Sequence, residues 1–199
     1  RALATVRPSM AAIPNAVAML LAPLVTDPTT FTLERLRVHA EQLKRQWAED
    51  ALRLIEHSAT HIPKDILTYS NSSSTRSAFI AHAAHIRQVI LPEGRPIDDG
   101  KRLARLLAAA GIPVTVITES QIGAWMREVE AVIVGADTIA PDGSIYNHMG
   151  TATVALLART HGVPMYVLTH SLKVAPYHRP EDMAGENDPA EVWRDPPSG

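Results

Sequence analysis

Three residues in the C-terminal half of the chain place an acid, an amide and an imidazole within a dozen positions. Asp137 follows an apolar run and two small residues, and Asn147 and His148 come ten residues later. Asp137 is a candidate general acid or base if burial favours its protonated form. Asn147 could bind a sugar hydroxyl, and His148 could direct a positive charge toward a phosphate. The alternative for Asp137 is a carboxylate satisfied by nearby backbone N–H groups.

A hydroxyl-rich segment follows an earlier apolar run and opens a predicted helix. It contains Ser70, Ser72 and Ser73, with further hydroxyl residues up to position 75. Hydroxyls and unpaired N–H groups at the start of a helix favour an anion, so the segment is a candidate phosphate cradle. An ordinary serine-rich helix cap explains the same residues equally well.

Two arginines are candidate phosphate ligands. Arg95 is held between a glycine and a proline and could bind a phosphate through two hydrogen bonds, although an ion pair with Glu93 is slightly favoured. Arg7, in the N-terminal part, could reach the same pocket. For Glu119, after a third apolar run, a cap on the following helix is favoured over a role as a base.

The elements that must position these residues alternate along the chain from residue 61. Five short, continuously apolar runs predict strands at 66–69, 88–91, 114–117, 132–134 and 165–168. Between them, helical patterns lie at 72–85, 98–110, 121–127 and 151–160, with Asp98 or Asp99 as the cap of the second. We therefore predict an α/β fold, a Rossmann-like parallel sheet with helices on both faces. Since the carboxyl ends of its strands share one edge, Ser70 and Asp137 are expected to face a common cavity.

The first sixty residues differ from the rest. An alanine-rich apolar pattern covers 8–24, and a long amphipathic helical pattern covers 33–57. We therefore predict two domains. A helical region at 1–60 is part of a larger N-terminal helical domain, and 61–199 form a Rossmann-like sugar-phosphate-binding domain.

Composition narrows the classes of function. The 199 residues are 46% apolar and 20% charged, with a net charge of −2 that gives no sign of a nucleic-acid surface. The absence of cysteine excludes disulfides, zinc–thiolate sites and thiol catalysis, and the nine histidines show no metal-binding spacing. No apolar run approaches the ~20 residues that span a bilayer. We expect a cytoplasmic protein without metal, cofactor, membrane or direct nucleic-acid contacts.

Several motifs in one collinear order resemble a known superfamily. They are Arg7-Pro8-Ser9, Ile66-Leu67-Thr68-x-Ser70, Glu93-x-Arg95-Pro96, Gly135-Ala136-Asp137 and Asn147-x-x-Gly150-Thr151. The superfamily contains methylthioribose-1-phosphate isomerase, ribose-1,5-bisphosphate isomerase and the regulatory α, β and δ subunits of translation initiation factor 2B. The resemblance implies a helical domain joined to a Rossmann-like domain that forms the dimer. Because family chains usually extend beyond both ends of this one, and the chain begins at Arg1 without Met, we expect a piece of a longer protein.

The resemblance also assigns roles to residues. In the isomerases a cysteine after the first strand and an Asp after the Gly-Ala pair open the sugar phosphate and move a proton between neighbouring carbons. Here the cysteine position falls on Ser70 and the Asp position on Asp137. A serine hydroxyl is a much weaker acid than a thiol. The family's Asn-Lys pair appears as Asn147-His148, which replaces a fixed cation by a titratable one.

Three hypotheses follow, of which the first is favoured. In the first, an initiation-factor-2B-like protein binds a sugar phosphate or nucleoside monophosphate at the carboxyl edge of the sheet. Its phosphate ligands would be Arg7, Ser70, Ser72, Ser73 and Arg95. Asp137 and Asn147 would bind the ribose, and the protein would be a homodimer or a higher homo-oligomer. The alternative is an aldose–ketose isomerase for a ribose phosphate, with Asp137 as acid/base and Ser70 or a water in place of the thiol. The third is a structural subunit with a vestigial pocket.

Overall fold

The computed structural model describes residues 10–27, 29, 32–175 and 188–194. The chain divides into two compact units. Unit one contains the described residues of Arg1–Glu56, Ala136–Tyr146 and His170–Gly185, and unit two those of His57–Gly135, Asn147–Thr169 and Glu186–Gly199. The division into domains at residue 60 remains a prediction.

Unit two is built on a five-stranded parallel sheet. Its strands are β1 (Asp65–Leu67), β2 (Gln88–Pro92), β3 (Val114–Ile117), β4 (Ala131–Val134) and β7 (Met165–Val167). Their order in the sheet, β3-β2-β1-β4-β7, is that of a Rossmann fold. The strands β2 and β3 lie on one side of β1, and β4 and β7 lie on the other. Because the crossover connections between parallel strands are right-handed, this order places the connecting helices on both faces of the sheet. The predicted fold class is confirmed.

Along the chain, the helices of unit two alternate with these strands. They are α3 (Ser73–Ala81), α4 (Asp99–Ala109), α5 (Ile122–Trp125) and α6 (Thr151–His161). Helix α3 ends four residues before its predicted end, and α5 is a single turn between two short 3₁₀ segments. These differences lie at helix ends, where sequence patterns are least informative.

The core of unit two explains why its strands are apolar on both sides. Ile66 and Leu67 of β1, and Val132 and Ile133 of β4, are fully buried. Leu67 pairs with both Val132 and Ile90 in the centre of the sheet. A sheet covered on two faces favours apolar residues along its central strands. The polar residue Asp65, at the start of β1, is buried and accepts a 2.8 Å hydrogen bond from Arg87 Nε.

Unit one contains two long helices and a small hairpin. The helices are α1 (Ala12–Thr26) and α2 (Leu33–Ser58), and the antiparallel hairpin is β5 (Thr138–Ile139) with β6 (Ile145–Tyr146). Two hydrogen bonds from Asn15 Nδ2, each 2.8 Å long, tie α1 to the carbonyls of Leu172 and Val174. The hairpin was not predicted, because two-residue strands carry too little alternation to be recognised.

Candidate functional site

The loop after β1 holds Ser70 in an unusual backbone conformation. Its φ of +67° lies in the left-handed region that residues with a Cβ adopt reluctantly. Ser70 Oγ donates a hydrogen bond of 2.6 Å to Asp99 Oδ2, and the backbone N–H of Asn71 donates one of 3.2 Å to the same oxygen. Asp99 begins α4, so a carboxylate from the loop after β2 holds the loop after β1.

His148 faces the same carboxylate from a third loop. Its Nε2 lies 3.9 Å from Asp99 Oδ2. Its Nδ1 lies 2.9 Å from the carbonyl oxygen of Met149, which can only accept, so Nδ1 carries the hydrogen and Nε2 is turned toward Asp99. We call Ser70, Asn71, Asp99 and His148 the Ser70 cluster. It gathers residues from the loops after β1 and β2 and from the turn before α6.

Tyr69 packs beneath this cluster. Its ring meets that of His148 edge-on, with 5.7 Å between centroids, and its hydroxyl donates a 2.8 Å hydrogen bond to the carbonyl of Met149. Burial raises the pKa of Tyr69, and the negative charges of Glu119 and Asp99 raise it further. The phenol therefore stays protonated at neutral pH and is a fixed hydrogen-bond donor.

Two glycines allow the loops to approach one another. A Cβ on Gly135, at the end of β4, would lie 2.3 Å from Ser72 Oγ. Gly150 has a φ of +99°, and a Cβ there would lie 2.2 Å from the Tyr69 hydroxyl. Any larger residue at either position would push the loop after β1 away.

Ser72 and Ser73 open helix α3. Ser72 stands at the N-cap, but its hydroxyl makes no capping bond, and within the described part of the chain its buried Oγ has no hydrogen-bond partner. Ser73 is exposed. The first-turn N–H groups of a helix also have no partner inside the helix. The side chain of Ser72 therefore does not cap the helix, and the phosphate cradle stays a prediction.

Arg95 lies in the exposed loop after β2. Its Nη2 donates a 3.4 Å hydrogen bond to the carbonyl of Val192, while Glu93 forms an ion pair of 2.9 Å with Lys101. The favoured pairing of Arg95 with Glu93 is therefore wrong.

Glu119 has a different function from the predicted helix cap. Its Oε1 accepts hydrogen bonds of 2.9 and 3.0 Å from the backbone N–H groups of Gly94 and Arg95. Thr118 and Gln121 form the capping box of the following 3₁₀ turn instead. Glu119 thus fixes the backbone that carries Arg95. Asp98, one of the two predicted cap positions, stands at the N-cap of α4, but its side chain makes no capping hydrogen bond.

Asn147 braces the start of helix α6. Its Nδ2 donates a 3.1 Å hydrogen bond to Thr151 Oγ1, which in turn donates one of 2.6 Å to the carbonyl of His148. This chain fixes the backbone that presents the His148 ring.

Unit one carries Asp137 beside a buried lysine. The backbone N–H of Asp137 donates a 2.8 Å hydrogen bond to Tyr146 across the hairpin. Lys173 is only 8% exposed, and its Nζ donates to the carbonyl of Ala136. Burial lowers the pKa of Lys173, and the charge of Asp137 acts in the opposite direction. We call Ala136, Asp137 and Lys173 the Asp137 segment.

The predicted site residues fall into three groups. Ser70 and His148 meet around Asp99, and Ser72 and Asn147 line the adjoining loops of unit two. Asp137 belongs to unit one, so its common cavity with Ser70 stays a prediction. Arg7 lies outside the described residues.

Two residues of these clusters were missed from the sequence. Asp99 was assigned to the helix it begins, and Lys173 stands alone after the last strand of the sheet. The available signal was position: both follow strands at the edge where ligands bind in this type of sheet.

The described residues contain neither a metal-ligand cluster nor a membrane-spanning helix. In residues 10–175 and 188–194, less the gaps named above, no three His, Cys, Asp or Glu side chains are grouped as metal ligands. No helix in that part of the chain is both long enough and apolar enough to span a membrane.

A parallel sheet of this strand order, with helices between its strands, defines a Rossmann-like α/β domain. The chain belongs to the Initiation factor 2 subunit family, IF-2B, whose model matches residues 1–195. This confirms the resemblance found in the motifs.

Two curated relatives illustrate the range of the family. Ribose 1,5-bisphosphate isomerase of Haloferax volcanii is 31% identical over 187 residues, which cover 88% of this chain and 56% of the relative. Methylthioribose-1-phosphate isomerase of Rhodopirellula baltica is 40% identical over 126 residues, covering 56% of this chain and 35% of the relative. The chain thus spans about half or less of the length of these relatives.

A solved structure has the same architecture. The translation initiation factor eIF-2B of Pyrococcus horikoshii OT3 superposes with a TM-score of 0.79 at 33% identity, over 88% of this chain and 63% of that one.

Proposed function

We propose that this chain forms the substrate pocket of an aldose–ketose isomerase that acts on a ribose phosphate. The observation that carries the proposal is the Ser70 cluster, in which the loops after β1 and β2 meet the turn before α6. In sheets of this type, ligands bind at the carboxyl edge. The names of the curated relatives, ribose-1,5-bisphosphate isomerase and methylthioribose-1-phosphate isomerase, support it. They favour the isomerase, the alternative in the sequence analysis, over the binding protein given first.

Phosphate recognition is assigned to the start of helix α3. The first-turn N–H groups, Ser72 Oγ and exposed Ser73 offer hydrogen bonds to an anion, and the helix dipole favours negative charge there. Arg95, Arg7 and His148 add positive charge in this proposal, and Asn147 contacts the sugar. The phosphate would thereby be bound by backbone donors as much as by cations.

Asp137 is assigned the acid/base step. In the isomerisation, the bond between carbon 1 and the ring oxygen breaks and that oxygen gains a proton. The hydrogen on carbon 2 moves to carbon 1, and the 2-hydroxyl loses its proton to leave a carbonyl. One proton is gained and one is lost, so substrate and product are isomers. Asp137 exchanges one of these protons, and Ser70 or a water handles the other where the family has cysteine.

An isomerase assay tests the proposal. Purified protein is given ribose-1,5-bisphosphate or 5-methylthioribose 1-phosphate, and the ketose product is measured. We expect turnover with one of them and a loss of at least ~100-fold in kcat with Asp137→Asn, the usual scale for removing an acid/base group. Ser70→Cys is expected to raise kcat. Turnover that survives Asp137→Asn would remove Asp137 from the mechanism, and no turnover by the wild type or by Ser70→Cys would refute the isomerase.

The second candidate is a protein that binds the sugar phosphate or a nucleoside monophosphate without turning it over. Ser70 at the cysteine position favours it, because serine is the weaker acid. Calorimetric titration with ribose-1,5-bisphosphate and AMP separates the two: heat of binding without product would identify the binding protein. Under either function we propose that the protein is a homodimer. A monomer in sedimentation velocity would contradict this.

A further inference from the structure

Asp99 is the residue around which the Ser70 cluster is arranged, although no motif pointed to it. We propose that Asp99 is a positioning residue: it orients the Ser70 hydroxyl to accept a hydrogen bond from a ligand hydroxyl, and it excludes phosphate from this end of the pocket. That the ligand is a sugar rests on the proposed function, whereas the orientation of the Ser70 hydroxyl follows from its hydrogen bond to Asp99 alone.

The backbone of Ser70 adopts a left-handed conformation that is unfavourable for serine. A residue with a Cβ adopts a φ of +67° only where surrounding contacts impose it. The contacts here are the two hydrogen bonds that Ser70 Oγ and the Asn71 N–H donate to one oxygen of Asp99. Asp99 therefore determines both the loop conformation and the direction of the hydroxyl.

The direction of the hydroxyl decides what it can bind. The Ser70 hydroxyl has a single hydrogen, which it donates to Asp99 Oδ2 in a 2.6 Å hydrogen bond. Toward a ligand, Ser70 Oγ can therefore only accept a hydrogen bond. A sugar hydroxyl can donate to it, whereas a fully ionised phosphate ester has no hydrogen to donate. The negative charge of Asp99 also opposes phosphate here. This limits the predicted phosphate cradle to the part formed by Ser72 and Ser73.

The other carboxylate oxygen of Asp99 makes no hydrogen bond among the described residues, which is unfavourable for a buried group. Asp99 Oδ1 is buried and has no hydrogen-bond partner among the described residues, and the side chain as a whole is 12% exposed. A carboxylate placed for its own hydrogen bonding would not leave one oxygen unsatisfied. Its position instead serves the loop that carries Ser70.

Calorimetry with two probes tests the proposal. Asp99→Asn keeps the size of the side chain and removes its charge. Asp98→Asn removes a charge from the preceding residue, which pairs with Lys101 and has no bond to Ser70. We expect Asp99→Asn to tighten the binding of inorganic phosphate by ~10-fold and to reduce the preference for ribose-1,5-bisphosphate over phosphate by at least ~10-fold. Removing the Coulomb repulsion between two negative charges a few ångströms apart supplies a change of this size. Equal shifts in the two variants would overturn the proposal.

Ser70→Gly gives an independent measurement in a variant that tolerates the positive φ. We expect it to weaken ribose-1,5-bisphosphate by ~10-fold and to change inorganic phosphate binding by less than twofold. Equal weakening of both probes would show that Ser70 contacts the phosphate, and would overturn the proposal.

Hydrogen exchange at the Asn71 amide separates this proposal from the isomerase. Because that amide donates to Asp99, we expect Asp99→Ala, which removes the acceptor, to speed its exchange at least ~10-fold, and Asp98→Ala to leave it unchanged. A wild type that binds no sugar phosphate would refute the isomerase, while faster exchange would still support the role of Asp99. Unchanged exchange in Asp99→Ala would overturn that role even in an active isomerase.

Discussion

The Ser70 cluster and the Asp137 segment are two polar arrangements built in opposite ways. In the Ser70 cluster a carboxylate accepts hydrogen bonds from a hydroxyl and an amide, with an imidazole facing it. In the Asp137 segment a buried ammonium donates to a backbone carbonyl beside the carboxylate. The first arrangement contributes negative charge and the second adds a buried cation.

The two arrangements differ in the interactions that hold each carboxylate in place. Asp99 depends on a strained loop and on close approach at glycine positions, so small steric changes should disturb it. Asp137 is held by backbone pairing in a hairpin, and Lys173 supplies its charge balance. Steric variants should therefore affect the first cluster, and charge variants combined with pH should affect the second.

The largest effect is expected from Gly150→Ala. A Cβ at this position meets the buried Tyr69 hydroxyl at 2.2 Å and also occupies a φ of +99°. We expect a loss of about 2–4 kcal/mol in the free energy of unfolding, the sum of backbone strain and overpacking. Urea denaturation gives the measurement.

Gly143→Ala is the matched control, because Gly143 has a φ of +84° and open space around its Cβ position. It should lose only about 1–2 kcal/mol, the cost of the backbone conformation. Equal losses in the two variants would show that the Tyr69 contact does not constrain the loop.

The second prediction concerns Lys173→Met. Burial lowers the pKa of Lys173 below its ordinary value of 10.5. At a pH below the folded-state pKa both states are protonated and the folded protein bears the cost of the buried charge. As the pH rises from there toward 10.5, the unfolded chain binds more protons, so stability rises. The wild type should therefore gain stability relative to Lys173→Met between pH 7 and 10.

Urea denaturation at several pH values checks this, with Lys44→Met as the control for an exposed lysine. At neutral pH the loss of the bond to Ala136 costs about 1–3 kcal/mol, which relief of the buried charge offsets. Parallel pH curves for the wild type and Lys173→Met would refute the buried-charge explanation.

The sheet was predictable from the sequence and the clusters were predictable only in part. The continuous apolar runs around Leu67 and Val132 can only be buried strands, and their alternation with helices limits the topology to a few forms. Ser70 comes directly after such a run, so its place at the sheet edge was expected. His148 was a candidate only because the turn after the fourth run leads to it.

Asp99 and Lys173 could not be predicted because their contacts are non-local. An acid that begins a helix normally interacts with that helix, and only the adjacency of β1 and β2 brings Asp99 to Ser70. A single lysine after a strand resembles a surface residue until the fold buries it against Ala136. Local patterns specify elements, whereas sheet order decides which loops meet.

The smallest effect is expected from His170→Gln. Burial lowers the pKa of His170 below 6.5, the nearby charge of Lys173 lowers it further, and Asp50 opposes both. As the pH falls below 6.5, the unfolded chain takes up a proton before the folded one does, so the folded state loses stability. The wild type should therefore lose more stability than His170→Gln between pH 7 and 5, and the two should run parallel between pH 7 and 8. Because Lys173 contributes to the shift, Lys173→Met should reduce the difference between histidine and glutamine at position 170. An unchanged difference in the Lys173→Met background would show that burial alone acts on His170, and that the cation of the Asp137 segment does not extend its influence that far.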